Sequence, residues 1–246
     1  MKQHYTGPRS PFRWLKDAPA EMPEWIPVAS LPARSRGGAL VRYPLVNDEL
    51  ALLWMVELGC VDLHVWTSRA DRPDRPDFVL FDLDPAGVRF ADVVRAALLR
   101  RDALDALALP AFPITTGGEG LHVRVPVART HPYADVRHFA GVVAAALRRT
   151  APELVTTERS LARRHGVFVD TKMNGHGQQV VAPYSVRPRP GAPVAAPLPW
   201  DELDERLAPA AFTLAQVVER VERDGDLLAP LLRGRARLDR ALASVG

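Results

Sequence analysis

Residues 77–85 have the sequence Asp-Phe-Val-Leu-Phe-Asp-Leu-Asp-Pro, an apolar run that ends in two aspartates one residue apart, Asp82 and Asp84. Side chains alternate across a β-strand, so residues i and i+2 share a face. Both carboxylates therefore leave the end of the strand on the same side. Two like charges this close are unfavourable unless a proton or a cation lies between them. Mg²⁺ or Mn²⁺, which favour oxygen ligands, would satisfy both carboxylates.

A third carboxylate, Asp170, ends another short apolar segment, 167–169, far along the chain. Three aspartates at neighbouring strand ends could hold two metal ions about 3.5–4 Å apart, the arrangement used for phosphoryl and nucleotidyl transfer. The alternative is that Asp82 and Asp84 simply begin a turn, because Pro85 and Gly87 follow them. Asp170 favours the metal site over the turn.

The overall composition limits the class of protein. A chain of 246 residues suits one sizeable domain or two lobes that share a core. It contains no uncharged apolar stretch of about 18 residues, so no membrane span is expected. Residues 1–5 lack the apolar core of a signal peptide, and Cys60 is the only cysteine, so it cannot form an internal disulfide. A cytoplasmic location is therefore expected.

The positive charge of the chain is carried almost entirely by arginine. Lysine occurs only at Lys2, Lys16 and Lys172, so 29 of the 32 basic residues are arginine, and the formal net charge is +3. The planar guanidinium matches phosphate geometry and stacks on bases. A genome rich in G and C produces the same excess, so arginine content alone does not indicate nucleic-acid binding.

The segment 115–122, Thr-Thr-Gly-Gly-Glu-Gly-Leu-His, is a candidate phosphate-binding turn. Gly117 and Gly118 let the backbone approach a ligand closely and expose amide groups as an anion nest. Thr116 offers a hydroxyl, and His122 a ring nitrogen, to phosphate oxygens. An ordinary hairpin has the same composition, and the segment lacks the Gly-Lys-Ser/Thr of a phosphate-binding P-loop.

Two further residues are candidates for nucleotide binding. Arg187, in the sequence Tyr-Ser-Val-Arg-Pro, is held by the following proline and could neutralise a triphosphate with bidentate bonds. Its alternative is a solvated surface arginine. His64 either faces a ribose or is a core histidine, and its spacing in the sequence leaves both interpretations open.

Helical and strand patterns mix without strict βαβ alternation, so we predict an α+β protein with mixed or antiparallel sheets flanked by helices. We expect an extended N-terminal arm over 1–37, a catalytic core over 38–213 and C-terminal helices packed on the core over 214–246. The predicted elements include a helix capped by Asn47, long helices at 90–107 and 134–149, a hairpin over 112–125, and helices at 158–164 and 200–207.

Taken together, these motifs resemble the polymerase domain of the bacterial non-homologous end-joining ligase D, in the archaeo-eukaryotic primase superfamily. The resemblance runs from about residue 24 to about residue 213. It rests on five segments that occur in the family's order: 56–69, 77–85, 116–122, 168–170 and 182–198.

The resemblance implies a primase-polymerase core and template-directed addition of nucleotides, often ribonucleotides, to a 3′ end during break repair. It implies two Mn²⁺ or Mg²⁺ ions, with Asp82 and Asp84 binding both. Asp170 would complete the ion that activates the primer 3′-hydroxyl.

The implied nucleotide site comprises two groups of residues. His64 would lie against the sugar, and the triphosphate would be held by Thr116, Gly117, Gly118, His122 and Arg187. The implied partners are a DNA primer-template or broken DNA ends, nucleoside triphosphates, and a separate ligase and end-bridging protein.

This sequence departs from the family pattern in several places. The family usually carries further residues at the start, including basic groups that grip a downstream 5′-phosphate, so we expect a shortened member. The aromatic that stacks on the incoming base belongs near Met1, where Phe12 or Trp14 would substitute. Glu119 replaces a lysine, and Met173 replaces a glutamine. The lost lysine removes charge-assisted bonds of about 1.5–3 kcal/mol each and Glu119 adds repulsion, so we expect weaker nucleotide binding with the chemistry intact.

Two functions other than a polymerase are compatible with parts of this sequence. Haloacid-dehalogenase-like phosphatases also have Asp-x-Asp after an apolar strand, but they follow it with glycine and need a later lysine and a further acidic pair. Here Pro85 and Ala86 follow, and Lys172 is the only downstream lysine. The second alternative is a catalytically weak or silent module that binds DNA ends, which Glu119 favours and the three aspartates disfavour.

Overall fold

The computed structural model describes residues 1–4, 12–33 and 37–245. The predicted N-terminal arm includes 5–11 and 34–36, which lie outside the described residues. The described part of this segment contributes strands to two small antiparallel sheets. β1 pairs with β2, and β3 pairs with β4. Their bounds are β1 Lys2–His4, β2 Phe12–Trp14, β3 Val28–Pro32 and β4 Leu40–Pro44.

A five-stranded mixed sheet forms the centre of the molecule, in the order β7-β8-β6-β10-β9. Its strands are β6 Phe78–Ala86, β7 Phe112–Thr115, β8 Leu121–Pro126, β9 Val155–Thr156 and β10 Gly166–Asp170. The central strand, β6, is antiparallel to both of its neighbours, and only β9 and β10 are parallel. A further two-stranded sheet pairs β5 His64–Trp66 with β11 Gln179–Val181.

The helices flank these sheets. They are α1 Glu49–Glu57, α2 Phe90–Asp105, α3 Tyr133–Thr150, α4 Leu214–Asp224, α5 Ala229–Arg233 and α6 Leu238–Val245. The helix α1 is capped by Asp48, whose carboxylate accepts the Ala51 amide, and not by Asn47 as predicted. Among the described residues, no helix is long and apolar enough to cross a membrane.

Two predicted helices are absent from the structure because local side chains hold the backbone in turns. In 158–164 the Glu158 carboxylate accepts the Ser160 amide, and Arg164 donates to the Glu158 carbonyl. In 200–207 only a three-residue 3₁₀ turn forms, and Asp204 then accepts the Arg206 amide. Such side-chain bonds offer the backbone an alternative to the helix.

Strand alternation along β6 separates the core from the site. Val79, Phe81 and Leu83 face the main core, which α2 and α3 cover. Phe78 and Leu80 belong to a second buried cluster, with residues of α5, on the opposite face. Asp82 and Asp84 continue this second face to the end of the strand, where the apolar packing stops.

Candidate active site

Register across the central sheet brings together residues that are far apart in the sequence. On one side of β6, Asp82 pairs with Asp170 of β10; on the other side it pairs with His122 of β8. Directly paired residues share a face of the sheet, so the three side chains form a row. His122 Nε2 lies 3.3 Å from Asp82 Oδ1. Asp84 lies two residues further along the same face.

The carboxylates in this row repel one another. Burial, and then the charges of Asp82 and Asp170, raise the pKa of Asp84 to about 7. A cluster of hard oxygen ligands whose charges are unfavourable without a cation matches the chemistry of Mg²⁺ or Mn²⁺. The carboxylates therefore fit a metal centre in donor type and in charge.

The three aspartates do not form a closed cage. Asp170 directs one carboxylate oxygen to the Lys172 amide, 2.8 Å away. Within the described ranges, no three His, Cys, Asp or Glu side chains already converge on one point as ligands of an ion. A metal would therefore have to draw the carboxylates together.

The glycine-rich turn is held by its threonine. The Thr116 hydroxyl donates to the Gly120 carbonyl at 3.0 Å and accepts the Gly118 amide at 3.2 Å. Gly117 has φ +62°, a conformation that favours glycine. The hydroxyl that was predicted to contact phosphate thus also holds the shape of the turn.

The same turn packs tightly against β6, which carries Asp82 and Asp84, and against the side chain of Arg187. A Cβ at Gly120 would lie 2.6 Å from the Leu83 carbonyl oxygen and 2.7 Å from Asp84 Oδ1. A Cβ at Gly117 would lie 2.8 Å from Cγ of Arg187. Two glycines are therefore required for the turn to reach both neighbours.

Arg187 is a fixed side chain and not a solvated surface arginine. Its Nη1 donates to the Thr116 carbonyl at 2.9 Å, and its Nε lies 3.4 Å from Asp62 Oδ1. Only 14% of the side chain is exposed. The guanidinium is thus positioned beside the turn by a backbone carbonyl and a carboxylate.

Asp62 is one of the residues that sequence analysis missed. It is fully buried, with Lys2 Nζ at 2.8 Å and His64 Nε2 at 3.0 Å in addition to Arg187. Burial opposes its ionisation, but bonds from His64 and Lys2 and the charge of Arg187 together lower its pKa to about 2. The sequence did contain a signal for this contact, because Asp62 precedes His64 by two residues and residues i and i+2 of an extended segment share a face.

His64 lies between this carboxylate and an aromatic ring. Burial lowers its pKa, against the opposing effect of Asp62. The ring of Trp14 packs edge-on at 5.0 Å between centroids. Trp14 is 45% exposed and Phe12 is 47% exposed, so both aromatics proposed as base-stacking substitutes are accessible.

Most of the predicted residues line one cleft of about 290 Å³. They are His64, Asp82, Asp84, Thr116, Gly118, His122 and Arg187. Gly117 and Asp170 adjoin this cleft and do not line it. Sequence analysis did not identify Gln179 and Arg189, which also contribute to the cleft wall.

Glu119 and Met173 also line this cleft. The Glu119 carboxylate lies 3.3 Å from both Nη atoms of Arg189. Part of its negative charge is therefore offset by a neighbouring guanidinium, although both side chains are exposed and such pairs are weak.

An α+β fold, with an acidic row beside a glycine-rich turn, defines the class of protein. The chain belongs to the family described as LigD, primase-polymerase domain, whose model matches residues 1–228. This match confirms the resemblance found in the motifs, places the chain among primase-polymerase nucleotidyltransferases, and is incompatible with the phosphatase alternative.

Individual relatives agree with the family model. The chain is 33% identical over 242 residues to the multifunctional non-homologous end joining protein LigD of Mycobacterium bovis, covering 94% of this chain and 31% of that protein. It is 28% identical over 222 residues to the bifunctional LigD of Bacillus subtilis, covering 89% of this chain and 35% of that protein. The chain thus spans about a third of the length of these curated relatives.

A solved structure shows the same fold. The polymerase domain from Mycobacterium tuberculosis ligase D, solved in complex with DNA, superposes with a TM-score of 0.86 at 31% identity. The match covers 96% of this chain and 84% of that chain. It confirms the predicted primase-polymerase architecture with mixed sheets and flanking helices.

Proposed function

We propose that this protein adds nucleotides, directed by a template, to a 3′ end of DNA during the joining of broken DNA ends. The observation that carries the proposal is the row of Asp170, Asp82 and His122 across three strands, beside the turn and Arg187. Carboxylates for metal and donors for phosphate thus share one cleft. Family membership supports the polymerase role in end joining.

We assign the residues to roles by their chemistry. Asp82 and Asp84 would hold two Mn²⁺ or Mg²⁺ ions, and Asp170 would complete the ion nearest the primer 3′-hydroxyl. Such ions lower the pKa of the attacking hydroxyl and stabilise the charge that develops on the phosphoryl oxygens. Burial, and then the repulsion from Asp82 and Asp170, raise the pKa of Asp84, and a cation beside these carboxylates would relieve both effects.

The nucleotide would be held on the other side of the cleft. His122 and Arg187 would supply donors to a triphosphate. Gly117 and Gly118 would let the backbone of the turn approach it closely, and Thr116 keeps the turn in shape. His64 would meet the sugar. The 3′-hydroxyl would lose its proton to water, and its oxygen would attack the α-phosphorus. The bond from the α-phosphorus to the oxygen that bridges to the β-phosphorus would break, and pyrophosphate would leave.

The proposed partners are nucleoside triphosphates and a DNA primer-template or broken DNA ends, in the cytoplasm. The DNA complex of the M. tuberculosis domain supports DNA as the substrate. We also propose a separate ligase and an end-bridging protein as partners, since the names of the curated relatives refer to non-homologous end joining.

The proposal is tested by extension of a labelled primer on a template in Mn²⁺. The double variant Asp82→Ala plus Asp84→Ala should abolish a product whose sequence follows the template. Asp102→Ala plus Asp105→Ala is the matched control, since it removes two exposed carboxylates of α2 outside the cleft. Product that persists in the Asp82/Asp84 variant would refute the proposal.

A second candidate is a module that binds DNA ends without extending them. Glu119, a negative charge on the wall of the proposed triphosphate cleft, favours it. DNA binding with no extension under Mg²⁺ or Mn²⁺ would support this second candidate.

A further inference from the structure

A second cavity, of about 310 Å³, is enclosed by the second face of the central sheet and the C-terminal segment. Its wall contains Phe78 of β6, Arg124 of β8, and Leu228, Leu231 and Leu232 in and beside α5. It shares no lining residue with the candidate active-site cleft. We call it the α5 cavity. Its volume is at the small end of the range of about 300–1,000 Å³ that is typical of small-molecule sites.

Much of the wall of the α5 cavity is apolar. Leu228 and Leu231 belong to the same buried cluster as Phe78, and Val65 and Val127 also line the cavity. An apolar ligand body of matching size would leave water when it enters this space, which favours its binding.

Arg124 places a buried positive charge in this apolar wall. Only 2% of the residue is exposed, its Nη2 donates to the Val181 carbonyl at 2.8 Å, and its guanidinium lies 4.7 Å from the centroid of the Phe78 ring. Its Nε has no hydrogen-bond partner among the described residues. The charge of Asp82 acts on it without a contact, whereas Arg129 is paired with two aspartates. Buried charges are ordinarily paired, so an anion is the partner that Arg124 lacks.

The two carboxylates that line the cavity are already engaged. Asp77 is paired with both Arg69 and Arg129, and Asp226 accepts the Tyr184 hydroxyl at 2.6 Å. The described wall contains four arginines and two aspartates, so its formal charge is positive. A positive, largely apolar space favours an anion over a cation or a neutral ligand.

Hydrogen bonds hold the cavity open in its present shape. Tyr184 has φ +64°, a strained conformation for a residue with a side chain, and Asp226 binds its hydroxyl. Asp226 also accepts the Leu228 amide at 2.9 Å, and Arg69 donates to the Leu232 carbonyl at 3.4 Å. Strain of this kind is concentrated at ligand sites. A wall that is fixed in advance also lowers the entropy cost of binding.

We propose that the α5 cavity binds a small organic monoanion with an apolar body, such as a medium-chain carboxylate. The carboxylate would accept charge-assisted hydrogen bonds from Arg124, and the apolar chain would lie against Leu228, Leu231 and Leu232. The proposal goes beyond nucleotide addition and does not depend on it, because none of these residues lines the candidate active-site cleft.

The test is isothermal titration calorimetry of the whole chain with octanoate. Octanol has the same chain without the charge, and acetate has the charge without the chain. Octanoate should saturate one site, and octanol should bind at least about tenfold more weakly, because hydrogen bonds to charged groups are the stronger ones. Acetate should give no measurable binding, since it offers no chain to the leucines.

Two variants separate the charge from the apolar wall. Arg124→Met keeps the length of the side chain and removes its charge, so octanoate should bind as weakly as octanol while the octanol affinity is unchanged. Leu232→Ala should weaken octanoate and octanol several-fold by the same factor. Leu232 is 58% exposed, so this variant should fold, and it tests the cavity even where Arg124→Met does not fold. Urea denaturation verifies the folding of both.

Arg233→Met and Leu214→Ala are the matched controls. Both residues are exposed and lie outside the wall of the cavity, Arg233 at the end of α5 and Leu214 at the start of α4. Their affinities for octanoate and octanol should equal those of the unmodified chain. ATP should not displace octanoate, because the triphosphate is expected in the other cleft.

Four results would overturn the proposal. They are the absence of saturable octanoate binding, equal affinities for octanoate and octanol, full octanoate affinity in a folded Arg124→Met or Leu232→Ala variant, and displacement of octanoate by ATP. The last result would place the carboxylate in the candidate active-site cleft. A chain that binds octanoate as expected but does not extend primers would support the α5 cavity and refute the polymerase.

Discussion

At the scale of single residues, the carboxylate of Asp62 connects several side chains of the candidate active-site cleft. It meets Lys2 from the N-terminal strand, His64 from β5 and Arg187 from the segment that follows β11. A buried carboxylate in contact with two cations and an imidazole holds each of them in one orientation, so the side chains of the cleft are already positioned relative to one another.

We predict that Asp62→Asn raises the nucleotide KM more than it lowers kcat, because Arg187 and His64 lose their common anchor. The variant should also lose about 3 kcal/mol of unfolding free energy, since Lys2 and Arg187 are left without a counter-charge. Steady-state primer extension and urea denaturation measure the two effects. Asp71→Asn, which breaks the exposed pair with Arg129, is the control and should be close to the unmodified chain.

Asp84 should make the stability of the metal-free protein depend on pH. Its pKa is raised from 3.8 to about 7 on folding, so between these values the folded state binds more protons than the unfolded state. Stability therefore falls as pH rises through this range, and the full penalty applies above pH 7.

We expect Asp84→Asn to be more stable than the unmodified chain above pH 7 in EDTA, with the difference vanishing near pH 4. Denaturation curves across this range measure it, with Asp105→Asn as the exposed control. Parallel curves for Asp84→Asn and the unmodified chain would contradict the raised pKa. Mn²⁺ should stabilise the unmodified chain and have little effect on the variant.

The negative charge of Glu119 on the cleft wall should weaken nucleotide binding. Glu119→Lys should lower the nucleotide KM by a few-fold, because a cation replaces an anion on the wall of the triphosphate cleft. Glu119→Gln should give an intermediate value, since it removes the charge without reversing it. An unchanged or higher KM in Glu119→Lys would show that Glu119 acts only on Arg189, outside the reach of the phosphates.

At the scale of elements, the contact between the glycine-rich turn and β6 determines the geometry of the site. Gly120 is the point of closest approach. The two elements are adjacent because β8, which follows the turn, pairs with β6. Strand pairing therefore sets where the glycine-rich turn lies relative to the carboxylates.

We predict that Gly120→Ala destabilises the protein by about 1–3 kcal/mol and lowers kcat, because the new Cβ would force the turn away from the Leu83 carbonyl and Asp84. Gly141→Ala, in α3, is the matched control. Nothing lies within 4 Å of a Cβ at Gly141, so it should stabilise the protein by up to about 1 kcal/mol. Thermal denaturation compares the two, and an equal effect would argue against the close contact.

Sequence periodicity was sufficient to predict some of the helices and not others. It predicted α2 and α3 to within two residues at each end, because both helices carry an apolar stripe that packs on the sheet. It failed at 158–164 and 200–207. There the composition is compatible with a helix, but side-chain bonds to the backbone hold turns.

At the scale of the whole molecule, the main core between the sheet and α2 and α3 contains a buried cation. Arg100 of α2 is fully buried, with its guanidinium 4.0 Å from the centroid of the Phe81 ring. Its three nitrogens have no hydrogen-bond partner among the described residues, and burial lowers its pKa to about 9. The ring offsets only part of the cost of removing this charge from water.

We predict that Arg100→Met raises the unfolding free energy by roughly 1–3 kcal/mol, because an apolar side chain of similar length replaces a buried charge. Arg101→Met is the control, since Arg101 lies at the surface beside Asp102, and its stability should hardly change. Urea denaturation measures both. A loss of stability in Arg100→Met would mean that the stacking on Phe81 outweighs the desolvation of the guanidinium.

The sequence by itself determined the features that depend on neighbouring residues. The shared face of Asp82 and Asp84, the glycine-rich turn and the long helices follow from strand and helix periodicity, and the ordered motifs indicated the family. Tertiary structure alone decided that Asp62 anchors His64 and Arg187, that Glu119 meets Arg189, and that Arg124 and Leu232 line one cavity. The physical reason is that covalent geometry sets local periodicity, whereas strand register and burial depend on packing between distant segments.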